Sequence, residues 1–272
     1  MVNRIVVGIN GSDADAKAVE WAANLASRDG GTLLIFVVID AGSAGAELEQ
    51  RADELLAEHA AAARALAPTI ELRTELHRAK SLPEGFEEVS ASAGLLVIGR
   101  DSHSRRQRSP ATVRIAAASK APVVAVPAVD MTGRRGVVVG VDGSEVSTLA
   151  LGFAAAEASS SVEPLIAVSS WQLQVGLGSE FAYDAEFVAI SERSSADALD
   201  EALEPIVARY PNLKIERKVE EGHPVDVLND AAETARLLVV GSHGRGAFRR
   251  LLLGSVSHEL LQEPALPTMV VR

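Results

Sequence analysis

One unit is written twice in this chain, and that repetition constrains the fold more than any other feature. Ile5-Val6-Val7-Gly8-Ile9-Asn10-Gly11-Ser12 returns as Val137-Val138-Val139-Gly140-Val141-Asp142-Gly143-Ser144. Leu95-Leu96-Val97-Ile98-Gly99 returns as Leu237-Leu238-Val239-Val240-Gly241, and Pro122-Val123-Val124-Ala125-Val126 as Pro267-Thr268-Met269-Val270-Val271. A chain of 272 residues has room for two domains of ordinary size, each burying its own core. The stretch from Pro127 to Arg135, with proline, glycine and mixed polar residues, reads as the link between them. The domains are therefore expected at 1–128 and 136–272, with 129–135 as linker.

Within each unit strand and helix patterns alternate. Short apolar runs without alternation, such as Ile5–Ile9 and Leu237–Val240, suit strands covered on both faces. The first strand of each unit leads through Gly-Ser into a helix, near 13–28 and 145–159, with Ser12 or Ser144 placed as its N-cap. Val19, Ala22, Ala23 and Ala26 share one face of the first of these helices. A second strand, a longer helix (47–66; 184–210), an edge-like third strand, a short helix and a fourth strand follow. A loop, a fourth helix (110–120; 255–262) and a fifth strand complete the unit. Such alternation predicts α/β architecture with parallel sheets and right-handed crossovers. The alanine-rich helix over 52–66 reads as core packing.

Composition narrows the function. The net charge is −11, and both halves hold more acidic than basic residues, which disfavours nucleic acid and anionic membrane as partners. No apolar run approaches membrane-spanning length. The start, Met1 to Ile9, is too short an apolar stretch for a signal-peptide core, so a cytoplasmic location is expected. The chain has no cysteine, which excludes disulfides, thiolate metal sites and cysteine nucleophiles.

The stretch that carries chemistry runs from Gly241 to Ser255. A glycine-rich loop, Gly241-Ser242-His243-Gly244-Arg245-Gly246, leaves the end of a strand and re-enters a helix at Gly254-Ser255. Glycines let backbone N–H groups converge on an anion, and a helix N-terminus adds unpaired donors and partial positive charge. Arg245, Arg249 and Arg250 stand within or beside the loop. No Gly-Lys-Ser/Thr follows, so this is not a Walker loop. In doubly wound sheets ligands lie outside the carboxyl ends of the strands, at the point where strand order reverses. The loop after the first strand (Asp142-Gly143-Ser144) and the loop after the fourth are expected to meet there.

These residues resemble the universal stress protein family in its tandem two-domain form, over nearly the whole chain. The family's nucleotide signature, G-x2-G-x9-G-[ST], stands here as Gly241, Gly244 and Gly254-Ser255, beside Val-Gly-Val-Asp-Gly-Ser (139–144), Glu-Gly-His-Pro (221–224) and a terminal Pro-x-x-Val-Val strand. The resemblance implies two Rossmann-like (adenine nucleotide alpha hydrolase-like) domains, each a five-stranded parallel sheet of order 3-2-1-4-5 flanked by helices. It also implies pairing of the units through their fifth strands, leaving a homodimer open, and, in the nucleotide-binding branch, ATP with Mg²⁺. Carried over by position, Val141 and Asp142 would face adenine and ribose, with Val168 against the base. Gly241, His243, Gly244, Arg245, Gly254, Ser255 and Val256 would surround ribose and phosphates, and Gly222 would let backbone approach the ligand.

The first unit departs from this pattern. Asn10 replaces the aspartate, Lys80 stands where Gly222 does, Ser102 replaces the second glycine, and the loop is three residues shorter. Ser109-Pro110 falls opposite Gly254-Ser255, and proline has no N–H to give. One nucleotide per chain is the expectation. Arg100, Arg105, Arg106 and Arg108 read as a solvated turn. Trp171, Phe181 and Tyr183 lie in a long segment after the second strand, where they serve either as a cover for adenine or as loop packing. Asp142 reads as a ligand residue because Ser144 already caps the helix.

His243 and His258 are the only acid–base candidates near the phosphates, and no carboxylate pair or nucleophile with an adjacent base accompanies them. No catalytic residue is therefore assigned. A stress or regulatory protein that holds ATP with little or no turnover is the reading; a slow Mg²⁺-dependent ATPase or another nucleotide-using enzyme is the alternative. Adenylate-forming enzymes on this scaffold carry a Ser-Gly-Gly-x-Asp-Ser loop that Asp142-Gly143-Ser144 lacks.

Overall fold

The computed structural model describes residues 4–42, 45–100, 110–172, 185–244 and 253–272, without the side chains of 110, 185 and 187. The chain forms two compact units. One comprises Met1–Asp130 with Leu260–Val270, the other Met131–Glu259 with Val271–Arg272.

The first unit runs β1 (Arg4–Gly8), α1 (Asp15–Asp29), β2 (Thr32–Asp40), α2 (Ala46–Leu66), β3 (Glu71–Ala79), α3 (Leu82–Ser90), β4 (Leu95–Arg100), α4 (Pro110–Ala118) and β5 (Val123–Pro127). Its strands lie in the order β3-β2-β1-β4-β5, all parallel. The central runs Ile5–Val7, Leu95–Val97 and Val123–Val126 are buried on both faces, which is why they carry apolar residues at every position. Strand β3, the sheet's edge, is mostly exposed or half-buried. Val19, Ala22, Ala23 and Ala26 of α1 are all buried against the sheet, and small residues there bring the helix close. At Gly99 a Cβ would come 2.9 Å from the Ala14 carbonyl carbon, so glycine sets the approach of α1 to β4.

The second unit repeats the pattern with β6 (Val137–Gly140), α5 (Glu145–Ser160), β7 (Leu165–Trp171), α6 (Ala185–Arg209), β8 (Ile215–Glu221), α7 (Pro224–Ala231), β9 (Leu237–Gly241) and the start of α8 (Ser255–Gln262). Its parallel strands take the order β9-β6-β7-β8. The last strand, β10 (Thr268–Val271), differs in detail from a five-stranded repeat. It runs antiparallel to β5, with Thr268 opposite Ala125, Met269 opposite Val124 and Val270 opposite Val123, so residues up to Val270 complete the first unit's sheet. Every residue of β5 and β10 is buried, so each strand needs a neighbour to satisfy its backbone.

The two first helices start differently. Ser144 caps α5 as expected, its Oγ accepting from Ser147 N at 3.2 Å. Ser12 does not cap α1: its hydroxyl donates to Asp15 Oδ1 at 2.9 Å, and the helix begins later, after Ala14. The buried Asp15 carboxylate takes the Ser12 hydroxyl proton, a charge-assisted bond that turns the hydroxyl toward the carboxylate. No helix among the described residues is long and apolar enough to cross a membrane.

Candidate functional site

The second unit gathers its candidate residues at the carboxyl ends of β6 and β9. Val141, one residue beyond β6, donates its N–H to the Val168 carbonyl at 2.8 Å, and both side chains are buried. The two valines thus form an apolar floor where the sheet ends. The chain then turns through Gly143, whose φ of 77° lies in the left-handed region that favours glycine. The turn is fixed by the Ser144 N–H donating to Asp142 Oδ1 at 3.0 Å.

That turn aims the second carboxylate oxygen of Asp142 at the glycine loop. A Cβ on Gly244 would collide with Oδ2. The two loops expected to meet, after the first and fourth strands of the unit, therefore do so at the Asp142–Gly244 contact. The far end of the glycine loop returns to the same place. Gly254 N–H donates to the Ser242 carbonyl at 2.7 Å, and Ser257 Oγ donates to that carbonyl at 2.9 Å. A Cβ on Gly254 would lie 3.3 Å from Ser242 O and 3.4 Å from the Cα of His243. Ser255 and Val256 begin α8 beside these contacts; Ser255 is exposed and Val256 half-buried. Their N–H groups belong to a helical first turn, which has no intrahelical acceptors.

Gly241 has a packing role in addition to its place in the signature. A Cβ there would lie 3.1 Å from Val146 Cγ1 and 3.2 Å from Ser147 N, so it admits α5 against β9. Gly99 does the same for α1 in the first unit, where the rest of the glycine signature is missing. Gly222 sits at the end of β8, its N–H donating to the Trp171 carbonyl at 3.0 Å, with β7 between it and β6. Its φ is 154°, and a Cβ would lie 2.9 Å from Val227 Cγ2. His243 pairs through Nδ1 with Ser242 Oγ at 3.1 Å, which ties the ring to its own loop. His258 is exposed on α8, its backbone N–H donating to the Gly254 carbonyl. Arg245, Arg249 and Arg250 lie outside the described residues, as do Phe181 and Tyr183. Among the described residues no group of three or more His, Cys, Asp or Glu side chains is placed to hold a metal ion.

The matching place in the first unit is built around a residue that sequence reasoning passed over. Asp15, 1% exposed, accepts from the backbone N–H groups of Asn10 (2.8 Å), Gly11 (2.7 Å) and Ser12 (3.1 Å) through Oδ2. Its counterpart in the second unit is Ser147, whose Oγ is 3.4 Å from Asp142 N. The carboxylate has changed places between the repeats: Asn10 and Asp15 in one, Asp142 and Ser147 in the other. That exchange was visible in the aligned repeats as an acidic residue three positions after Ser12 with no partner three positions after Ser144. Arg100 is a correction. Expected in a solvated turn, it is buried, and one of its terminal nitrogens donates to the Gln262 carbonyl at 2.7 Å. It is the last residue of β4, where the sheet and the returning segment 260–270 cover it. Ser102, Ser109, Arg105, Arg106 and Arg108 lie outside the described residues.

The universal stress protein family model matches residues 1–127 and again 133–272. A universal stress protein of Mycolicibacterium smegmatis is 33% identical over 290 residues, covering 98% of this chain and 96% of the relative. One from Mycobacterium tuberculosis is 30% identical, covering 98% and 96%. Among solved structures, a universal stress protein of Archaeoglobus fulgidus shares the fold with a TM-score of 0.72 at 17% identity, covering 98% of this chain and 97% of that one. The family signature at Gly241, Gly244 and Gly254-Ser255, the doubly wound units and these matches agree: the chain is a tandem member of the universal stress protein family.

Proposed function

We propose that the second unit binds an adenine nucleotide, ATP with Mg²⁺, and that the nucleotide acts as a regulatory ligand with little or no turnover in a cytoplasmic stress-survival role. The observation that carries this reading is the convergence of Asp142, Gly244, Gly254 and the start of α8. Their chemistry also orients the ligand. A carboxylate beside Gly244 repels phosphate and accepts from hydroxyls, so the ribose belongs there, with adenine over Val141 and Val168. The phosphates belong at Gly254, Ser255 and Val256, where helix N–H groups and the positive end of the helix dipole favour negative charge. Gly241 lets α5 approach β9 beside this crevice, Gly222 would turn the chain at the end of β8, and Arg245 and the second ring nitrogen of His243 would add donors from the loop. Mg²⁺ would arrive coordinated to the phosphates, because the described side chains supply no acidic cluster for it.

The low-turnover part rests on the absence of an arranged base and nucleophile among the described residues near Gly254; His243 is engaged with Ser242. A slow ATPase is the competing outcome of the same binding. The test is calorimetry with Ser255→Glu. Ser255 is exposed at the first position of α8, so glutamate there suits the helix end and leaves the fold intact. Its charge falls where the phosphates would sit. ATP binding is expected to be lost at unchanged or raised thermal stability. Unchanged ATP affinity in this variant would overturn the assignment.

A further inference from the structure

The first unit also holds a cavity, of about 550 Å³, within the range of ~300–1,000 Å³ usual for small-molecule sites. It opens at the carboxyl ends of β1, β2 and β4. Ile9, Val37 and Ile98 line it from the sheet, with Leu55 of α2, Phe86 of α3 and Ile115 of α4 from the helices. Phe86 shapes the floor: its ring lies 5.0 Å from that of Phe36, and a Cβ on Gly8 would collide with it. In the second unit Leu228 takes that position against Gly140.

The polar wall of the cavity is already satisfied from within. The three N–H groups of Asn10, Gly11 and Ser12 point at one spot, as an anion-binding turn requires, and the Asp15 carboxylate fills it. Ser12 Oγ donates to the same carboxylate. A phosphate entering this crevice would meet a fixed negative charge in place of donors. Of the other charged residues on the described lining, Asp40 and Arg51 are exposed at the rim and offset each other, and Arg100 is buried and donates to the Gln262 carbonyl. The rest of the described lining is predominantly aliphatic and aromatic.

We infer that the first unit is a second small-molecule site, selective for an uncharged and largely apolar ligand, with Asp15 acting as a built-in anion that excludes phosphate compounds. The degenerate repeat is thus a site of changed chemistry rather than an empty scaffold. The inference uses only first-unit residues, so it stands or falls separately from nucleotide binding by the second.

The test uses the full chain and the neutral dye Nile red, whose emission rises in apolar surroundings. Ala111 lines the cavity from α4 while remaining exposed, so Ala111→Trp plugs the space at little cost to folding. Leu55→Trp, from the opposite wall, is the second plug, and far-UV circular dichroism checks both variants. Each plug is expected to weaken dye binding at least tenfold. Dye affinity unchanged in both would overturn the site. Displacement by 1-decanol and by n-decyl phosphate, which share a chain and differ in headgroup, then tests selectivity. Decanol is expected to displace the dye at concentrations at least tenfold lower, and Asp15→Ser is expected to narrow that gap. Equal displacement by the two in the wild-type chain would overturn the exclusion of phosphate, as would displacement of the dye by ATP.

Discussion

The carboxylate of Asp142 rests against Gly244, so closely that a side chain at that position would displace it. In the first repeat neither partner is kept: Asn10 stands for Asp142 and Ser102 for Gly244. The glycine therefore belongs to the aspartate as much as to any bound phosphate, and the pair behaves as one device that sets a hydroxyl acceptor beside a loop. Gly244→Ala is expected to destabilise the chain by about 1–2 kcal/mol, the cost of shifting the carboxylate or the loop. Asp142→Ala alone should cost less than ~1 kcal/mol, and adding it to Gly244→Ala should recover part of the loss. Urea denaturation of the two single variants and the double variant measures the coupling, for which about 1 kcal/mol is expected. Simple additivity would show that the contact exerts no constraint.

Asp15 and Ser147 occupy the same place in their repeats and should differ sharply in what they contribute. Three backbone donors and a hydroxyl converge on the buried Asp15 carboxylate, and its removal orphans them. Hydrogen bonds to charged groups contribute about 1.5–3 kcal/mol each at most and are not additive, so Asp15→Ala should cost about 2–4 kcal/mol. Ser147→Ala should cost about 1 kcal/mol or less. Chemical denaturation of both variants provides the comparison, and equal losses would contradict it.

His77 on β3 lies between Glu75 (2.9 Å) and Glu88 (2.8 Å). Partial burial disfavours the imidazolium, but hydrogen bonds to Glu88 and Glu75 and their negative charge outweigh it and raise the pKa above the ordinary 6.5. A raised folded-state pKa means stability that is fully present below about 6.5 and is lost as pH rises through the folded value. Glu75 and Glu88 are about half exposed, so the effect should stay under ~1 kcal/mol. Melting temperature measured across pH 5.5 to 8.5 should fall more in wild type than in His77→Gln. Parallel profiles would remove His77 as the cause.

Much of the fold was legible because its signals are local and redundant. Ile5–Val7 and Leu237–Val239 are apolar at every position, which a strand covered on both faces demands, and the repeat doubled each such signal. Ser144 was legible as a cap because nothing nearby competes for the α5 donors. Ser12 does not cap because its hydroxyl donates to Asp15, three residues on, and sequence spacing does not reveal that the hydroxyl is engaged there. Gly241 was read as a ligand glycine from its motif, yet the close approach of Val146 and Ser147 gives it a packing role that only side-chain positions expose. The apolar cavity was illegible for the same reason. Leu55, Phe86 and Ile115 look like ordinary core residues until the sheet and three helices leave a space between them.

The central claim is one nucleotide per chain, held by the second unit. Native mass spectrometry of the intact chain with saturating ATP and Mg²⁺ tests it most directly. A single bound nucleotide that disappears in Ser255→Glu is the expected result. A second specific nucleotide that survives Ser255→Glu and disappears when Asn10 or Gly99 is changed would contradict the account.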